Sequence, residues 1–224
     1  MEKELNQAVL SRINIPEDTA QIFKKTAHRF EELMMMYQCA IQEVTTKLEV
    51  LSREMSVRNN RNPIETIKYR IKKPVSIAEK LTRNGHEVTL EAISEHLNDV
   101  AGVRVICSFI EDIYTIAKML TDQDDIHLVK VKDYIKKPKA NGYRSYHMII
   151  EIPVFFSDHK QHIKVEVQIR TMAMDFWASL EHQVKYKKNI ENPEEISERL
   201  KKCADVIAAT DSEMQKIAEG IGIV

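Results

Sequence analysis

The chain has 224 residues, 43% of them hydrophobic and 30% charged, which supplies one core with helical extensions and leaves little room for two full domains. Lys and Arg number 33 against 34 Asp and Glu, a formal net charge of -1, which disfavours binding of nucleic acid through overall charge. The opening Met1-Glu2-Lys3-Glu4-Leu5-Asn6 lacks an apolar leader and no stretch approaches the roughly 18 apolar residues of a membrane span, so a cytoplasmic protein without a membrane anchor is expected.

In chain order, residues 17–57 read as one or two helices. Phe30, Leu33, Tyr37, Ile41, Val44, Leu48, Leu51 and Met55 recur at steps of three and four, with no Gly or Pro between them. The run Met34-Met35-Met36 fits core filling or a helix–helix contact, since thioether side chains adapt to irregular gaps. Pro63 closes this segment. A second helical stretch is predicted over 64–84, with Pro74 as a break or a new first turn and Gly85 as its stop. After a short helix at 89–97, the run Gly102-Val103-Arg104-Val105-Ile106-Cys107-Ser108-Phe109 is β-branched and apolar, as a central strand requires.

A helix at 111–122, a strand at 126–132 and a basic loop over 133–142, marked by Pro138 and Asn141-Gly142, come next. Two strands, 145–152 and 163–170, flank a turn region at 153–162. The rest is helical. One candidate spans 171–188; another opens with Asn192 as N-cap and Pro193 at the first helical position and carries Ile196, Leu200, Cys203, Ile207, Met214 and Ile217 up to Gly220. Helices at both ends of a strand-rich centre indicate an α+β protein with a mixed sheet. Cys39, Cys107 and Cys203 form no C-x-x-C pair, so reduced, mostly packed thiols are expected.

Charge is unevenly spread. Residues 53–86 carry a balance of +6 and residues 130–147 one of +5, which leaves about -12 on the remainder. Two cationic segments in an otherwise acidic chain suggest a local anionic ligand. In the first, Ser76, Lys80 and Arg83 fall at i, i+4 and i+7 on one helical face, with Arg70 and Lys72 ahead of them. A hydroxyl and several cations near a helix start suit a triphosphate, although a solvated basic face fits the same spacing. In the second, Tyr143 beside Arg144 is placed to stack a purine while Lys139 and its neighbours hold phosphates; a packed Tyr in a hairpin-like loop is the alternative.

Carboxylates complete the set. Asp99 stands just before the predicted central strand, and Arg104 inside its apolar run needs an anion or an aromatic plane as partner. Over 163–170, Ile163, Val165, Val167 and Ile169 alternate with Lys164, Glu166, Gln168 and Arg170, which puts Glu166 on a rigid strand. Asp99 and Glu166 together offer oxygen ligands to Mg2+, which takes one or two carboxylates plus substrate phosphates. No Walker A loop, G-x-G-x-x-G or H-E-x-x-H is present.

Taken together, these segments resemble the synthetase domain of the RelA/SpoT family, and within it the small alarmone synthetases. The matching motifs are Arg70-Ile71-Lys72 with Ser76 and Lys80, Asp99-Val100-Ala101-Gly102-Val103-Arg104, Asp133-Tyr134-Ile135 with Pro138-Lys139, Asn141-Gly142-Tyr143-Arg144-Ser145-Tyr146-His147, and Glu166-Val167-Gln168-Ile169-Arg170-Thr171, followed by Asp175-Phe176-Trp177. The resemblance covers about 65–190. It implies a nucleotidyltransferase-like mixed sheet of about five strands and transfer of pyrophosphate from ATP to the 3′-hydroxyl of GDP or GTP, yielding ppGpp or pppGpp and AMP. It further implies that Arg70 and Arg104 sandwich the adenine, that Lys72, Ser76, Lys80 and Arg83 hold the ATP phosphates, and that Asp99 binds Mg2+. Tyr143 would stack the guanine, with Lys139, Asn141, Arg144 and His147 around the acceptor. Glu166 would position the metal and activate the 3′-hydroxyl, supported by Gln168.

By the same resemblance, 1–60 is a helical extension, 61–190 the synthetase core and 191–224 a C-terminal helix for oligomerisation, with a homotetramer expected. The family's metal-dependent hydrolase domain and separate regulatory domains are not found in the chain, so synthesis without degradation is expected. Lys73 replaces the acidic residue that long members often carry, so that motif says nothing about nucleotide preference. Two competing readings are a toxic branch that modifies an adenine nucleotide or a tRNA end, and a non-catalytic regulator that binds RNA or alarmone through the basic segments.

Overall fold

Residues 17–186 and 192–223 are described by the computed structural model of the chain. The first 16 residues of the expected N-terminal extension, the end of the helix predicted to reach 188, and residues 189–191 and 224 lie outside the described residues. A 42-residue helix, α1 (Glu17–Arg58), leads into β1 (Ile64–Ile71), α2 (Pro74–Arg83), α3 (Leu90–His96), β2 (Ala101–Cys107), α4 (Ile110–Thr121), β3 (His127–Asp133), β4 (Tyr146–Phe155), β5 (Lys160–Thr171), α5 (Met172–Tyr186) and α6 (Pro193–Gly220). The strands form one sheet in the order β1-β2-β5-β4-β3, in which only β2 and β5 run parallel. This is the α+β class expected, with five strands.

Alternation along the strands creates two unlike faces. Val103, Val105, Met148, Ile150, Val165, Val167 and Ile169 are buried on one of them, against Tyr37, Ile41, Val44, Leu48, Leu51 and Met55 of α1 and Ile113, Ile116 and Leu120 of α4. The predicted stripe of α1 is therefore the lid of the core. Met34 and Met36 pack against it as expected, while Met35 stays exposed. Because α1 and α4 occupy this face, the other face is left to Lys68, Arg70, Arg104, His147, Glu166 and Gln168.

Residues 64–71 correct the predicted helix over 64–84: they form the edge strand β1, and only Pro74–Arg83 is helical. The physical reason is a bulge. Ile64 pairs with Cys107 and Thr66 with Ile106, so one extra residue is inserted, and Ile64, Ile67 and Ile71 fall at helix-like steps of three and four while all serving the apolar side. The β-branched content of Ile-Glu-Thr-Ile and the restriction that Pro74 places on Lys73 were signals for a strand ending there. A second correction concerns 153–162: β4 and β5 extend through most of it, and the turn shrinks to 156–159, closed by Phe156 N donating to His159 O at 2.8 Å. Asn192 precedes α6 in a left-handed conformation and its side chain makes no cap bond. Gly85 does stop α2, with φ +79°. The three cysteines are free. Among the described residues no helix is long and apolar enough to cross a membrane.

Candidate active site

Strand register assembles the polar face. Arg70 pairs with Gly102 and Gly102 with Glu166, while Lys68, Arg104, Gln168 and His147 form the adjacent row across four strands. The Arg70 side chain lies over Gly102, its Cγ 3.7 Å from where a Cβ would stand. Lys68, Arg70, Arg104 and Gln168 line a cavity of about 220 Å³ on this face. Arg104 finds the anion its burial demands in Asp175 of α5, at 3.4 Å, yet its Nε remains buried without a partner. Burial and the nearby Arg170 lower its pKa, and Asp175 only partly offsets them.

Asp99 sits two residues before β2, where its Oδ2 receives both Lys72 Nζ and Lys80 Nζ at 2.7 Å. Its Oδ1 is buried and unpartnered. Burial alone would raise the Asp99 pKa; the hydrogen bonds and charges of the two lysines outweigh it and hold the carboxyl below the usual range. Ser76 is half-buried in the first turn of α2. That turn has Pro74 at its start, no acidic residue and no side-chain cap, so its N-terminal dipole stays open to an anion. Arg83, in the last turn of the same helix, is exposed.

Glu166 is equally enclosed, its side chain 16% exposed. Gln168 Nε2 donates to its Oε2 at 2.8 Å, and His147 Nδ1 stands 3.4 Å from Oε1. Burial pushes its pKa up, and Asp99 adds to that. Hydrogen bonds from His147 and Gln168 push it further down, so the net shift is downward and Glu166 is a carboxylate at neutral pH. Asp99 and Glu166 thus sense each other among cations.

The loop before β4 is placed less simply. The Tyr143 hydroxyl lies 2.9 Å from His147 Nε2, and Lys139 Nζ sits 4.7 Å from the centres of both the Tyr143 and Tyr134 rings. Tyr143 is therefore both a packed ring, against Trp177 and Ala204, and a member of the polar face. Asn141 donates to Glu181 at 3.1 Å and caps Tyr143 N, which ties the loop to α5. Arg144 does not join the polar face: it reaches α6, with Asp205 at 3.7 Å and the Ala204 carbonyl at 3.4 Å. Gly142 makes that approach possible. It has φ +86°, and a Cβ on it would stand 2.5 Å from Ala204 Cβ.

Sequence reasoning missed Lys68, Arg170 and Asp175. Arg170 reads as one more residue of an exposed strand face, yet it is 4% exposed and bonds Asp175 at 3.1 Å. The requirement of Arg104 for an anion was the available signal for Asp175, which follows β5 within the first turn of α5.

A five-stranded mixed sheet with one face covered by helices carries on its other face a cluster of cations around two carboxylates, Asp99 and Glu166, and the same architecture is found in known proteins. Residues 69–191 match the family described as a region found in RelA / SpoT proteins. The chain is 45% identical over 188 residues to GTP pyrophosphokinase YwaC of Bacillus subtilis, covering 84% of this chain and 90% of that protein, and 34% identical to GTP pyrophosphokinase YjbM of the same organism, over 84% and 88%. Among solved structures, small alarmone synthetase 1 from Bacillus subtilis bound to its product pppGpp superposes with a TM-score of 0.78 at 34% identity, covering 86% of this chain and 98% of the other. Small alarmone synthetase 2 from the same organism gives 0.77 at 43%, over 85% and 98%. The chain belongs to the RelA/SpoT family.

Proposed function

We propose that the chain is a GTP pyrophosphokinase, transferring pyrophosphate from ATP to the 3′-hydroxyl of GDP or GTP to make (p)ppGpp and release AMP. The observation that carries this reading is the placement of Asp99 and Glu166 around Gly102 in a ring of cations. In the transfer, the 3′-oxygen bonds to the β-phosphorus of ATP, the bridge to the α-phosphate breaks, AMP leaves with the bridging oxygen, and the hydroxyl proton passes to Glu166. Such a reaction asks the protein to align two oxygens and neutralise charge. Arg70 and Arg104 flank the 220 Å³ cavity, which suits a planar base held between two guanidinium groups. Lys72, Lys80, Ser76 and the open first turn of α2 are the groups that would hold the phosphates, and Arg83, exposed in the last turn of the same helix, would add a further cation.

The donor set fits Mg2+. Asp99 Oδ1 lacks a partner, and Glu166 is close enough for the Asp99 charge to act on it. These two carboxylates would hold the ion, which when bound would neutralise phosphate charge. Among the described residues no three His, Cys, Asp or Glu side chains gather as a metal site, so phosphate oxygens and water would complete its shell. On the acceptor side Tyr143 offers its ring and Lys139 and His147 their nitrogens, while Asn141 and Arg144 act by fixing the loop.

Exposed Met172, Phe176, Leu180 and Val184 recur every four residues along α5, which supports assembly into the homotetramer expected for small members; light scattering of the purified chain tests this. The activity itself is tested by incubating the protein with ATP, Mg2+ and GDP or GTP and separating the nucleotides. A 3′-pyrophosphorylated product and AMP are expected, and their absence would sink the reading. Adenine nucleotide and tRNA acceptors in parallel reactions test the toxic-branch alternative. A pure RNA- or alarmone-binder has no use for a carboxylate pair among its cations.

A further inference from the structure

Five side chains, Glu166 among them, close a ring. Gln168 Nε2 donates to Glu166 Oε2 at 2.8 Å, and Arg170 donates to Gln168 Oε1 at 3.1 Å. Arg170 also donates to the Tyr143 hydroxyl, which lies 2.9 Å from His147 Nε2, and His147 Nδ1 returns to Glu166 Oε1 at 3.4 Å. Arg170 itself is 4% exposed. Its other bonds go to Asp175 Oδ1 at 3.1 Å and Ser145 Oγ at 3.3 Å.

A guanidinium carries five N–H donors and no acceptor, and this makes the ring directional. Gln168 must turn its carbonyl toward Arg170, so its amide NH2 faces Glu166. The Tyr143 oxygen accepts from Arg170 and keeps its own proton to give. That proton goes to His147 Nε2, and the imidazole hydrogen is then on Nδ1, facing Glu166. We infer that Arg170 is a positioning residue for the transfer: it orders two donor chains that converge on the two oxygens of Glu166 and couples the carboxylate's orientation to Tyr143 of the acceptor loop. Asp175 anchors this device while also holding Arg104 at 3.4 Å and Lys68 at 3.6 Å, so one carboxylate ties the acceptor side of the face to the donor side.

The inference rests on the reading of Glu166 as proton acceptor and deepens it. Loss of Arg170 leaves Asp175 buried without its main partner and can unfold the chain, so Tyr143→Phe, which deletes the hydroxyl and keeps the ring, is the primary variant. Its kcat is expected to fall about tenfold or more, while KM for GDP or GTP stays within about twofold. Arg170→Lys keeps a cation for Asp175 but cannot serve both arms, so adding Tyr143→Phe to it is expected to cost little more. Independently of turnover, ¹⁵N NMR of His147 in the full chain at neutral pH is expected to show hydrogen on Nδ1 and not on Nε2. Hydrogen on Nε2, an unchanged kcat in Tyr143→Phe, or additive losses in the double variant would each overturn the inference. A wild-type chain that makes no pyrophosphorylated product would instead refute the proposed function, and the tautomer would still judge the ring.

Discussion

Glu166 owes its state to opposing effects of the same enclosure. Burial penalises its charge, and the donors that enclosure brings, Gln168 and His147, outweigh that penalty. The result is a carboxylate that is ionised at neutral pH, which suits the proposed role of proton acceptor. Glu166→Gln keeps the shape and the bond from Gln168 but cannot accept the proton. Its turnover is expected to fall by about 10² to 10⁴, with a melting temperature near that of the wild type; near-normal turnover would refute the role. Asp99 is positioned by the same principle with two lysines, which leave its buried Oδ1 without a partner among the described residues.

At the scale of elements, the loop before β4 depends on α6. Gly142→Ala forces a side chain into a left-handed position, a cost of about 1–3 kcal/mol, and also displaces Ala204. The variant should melt lower and show a raised KM for the guanine nucleotide, and adding Ala204→Gly should recover the part due to the clash but not that due to the backbone. Asp211 of α6 accepts from Thr171 at 2.7 Å, and burial raises its pKa despite that bond and the Arg144 charge. A raised native pKa means that this group's stabilising contribution is complete below the ordinary carboxylate value and is lost as pH rises through the native one. Asp211→Asn, which still accepts from Thr171, is therefore expected to match or exceed the wild-type melting temperature at pH 7, with the gain vanishing toward pH 4 in calorimetry. A lower melting temperature at pH 7 would contradict this.

Elements were legible in the sequence where one periodicity governed them. The α1 stripe is buried from Tyr37 to Met55 and half-buried at Phe30 and Leu33, and the alternation from Ile163 to Ile169 corresponds to buried side chains. They failed where two signals overlapped, as in β1, whose bulge turned a strand into a helix-like pattern. Side-chain direction was less legible still. Motif membership grouped Arg144 with Tyr143 around a nucleotide, but the Arg144 guanidinium is taken by Asp205 and the Ala204 carbonyl of α6. Asp175 escaped because its partners, Arg104 and Lys68, come from distant strands that only the sheet brings beside it.

For the whole molecule, a net charge of -1 conceals the concentration of +11 in two segments. Both segments contribute to one sheet face, so nucleotide binding should weaken as ions screen it. Raising ionic strength from about 0.05 to 0.5 M is expected to increase KM for both nucleotides more than it alters kcat, and a salt-independent KM would count against the shared cationic face. The parallel pairing of β2 with β5 has another consequence. It joins Gly102 to Glu166, 64 positions apart, whereas β4 with β5 and β3 with β4 close locally. Contacts between distant segments carry the larger loop-closure cost and form late in folding. The two carboxylates and their cations therefore meet only once the sheet is complete, so that stages of folding that leave β2 unpaired have no competent transferase centre, and recovery of activity on refolding should trail recovery of helix signal.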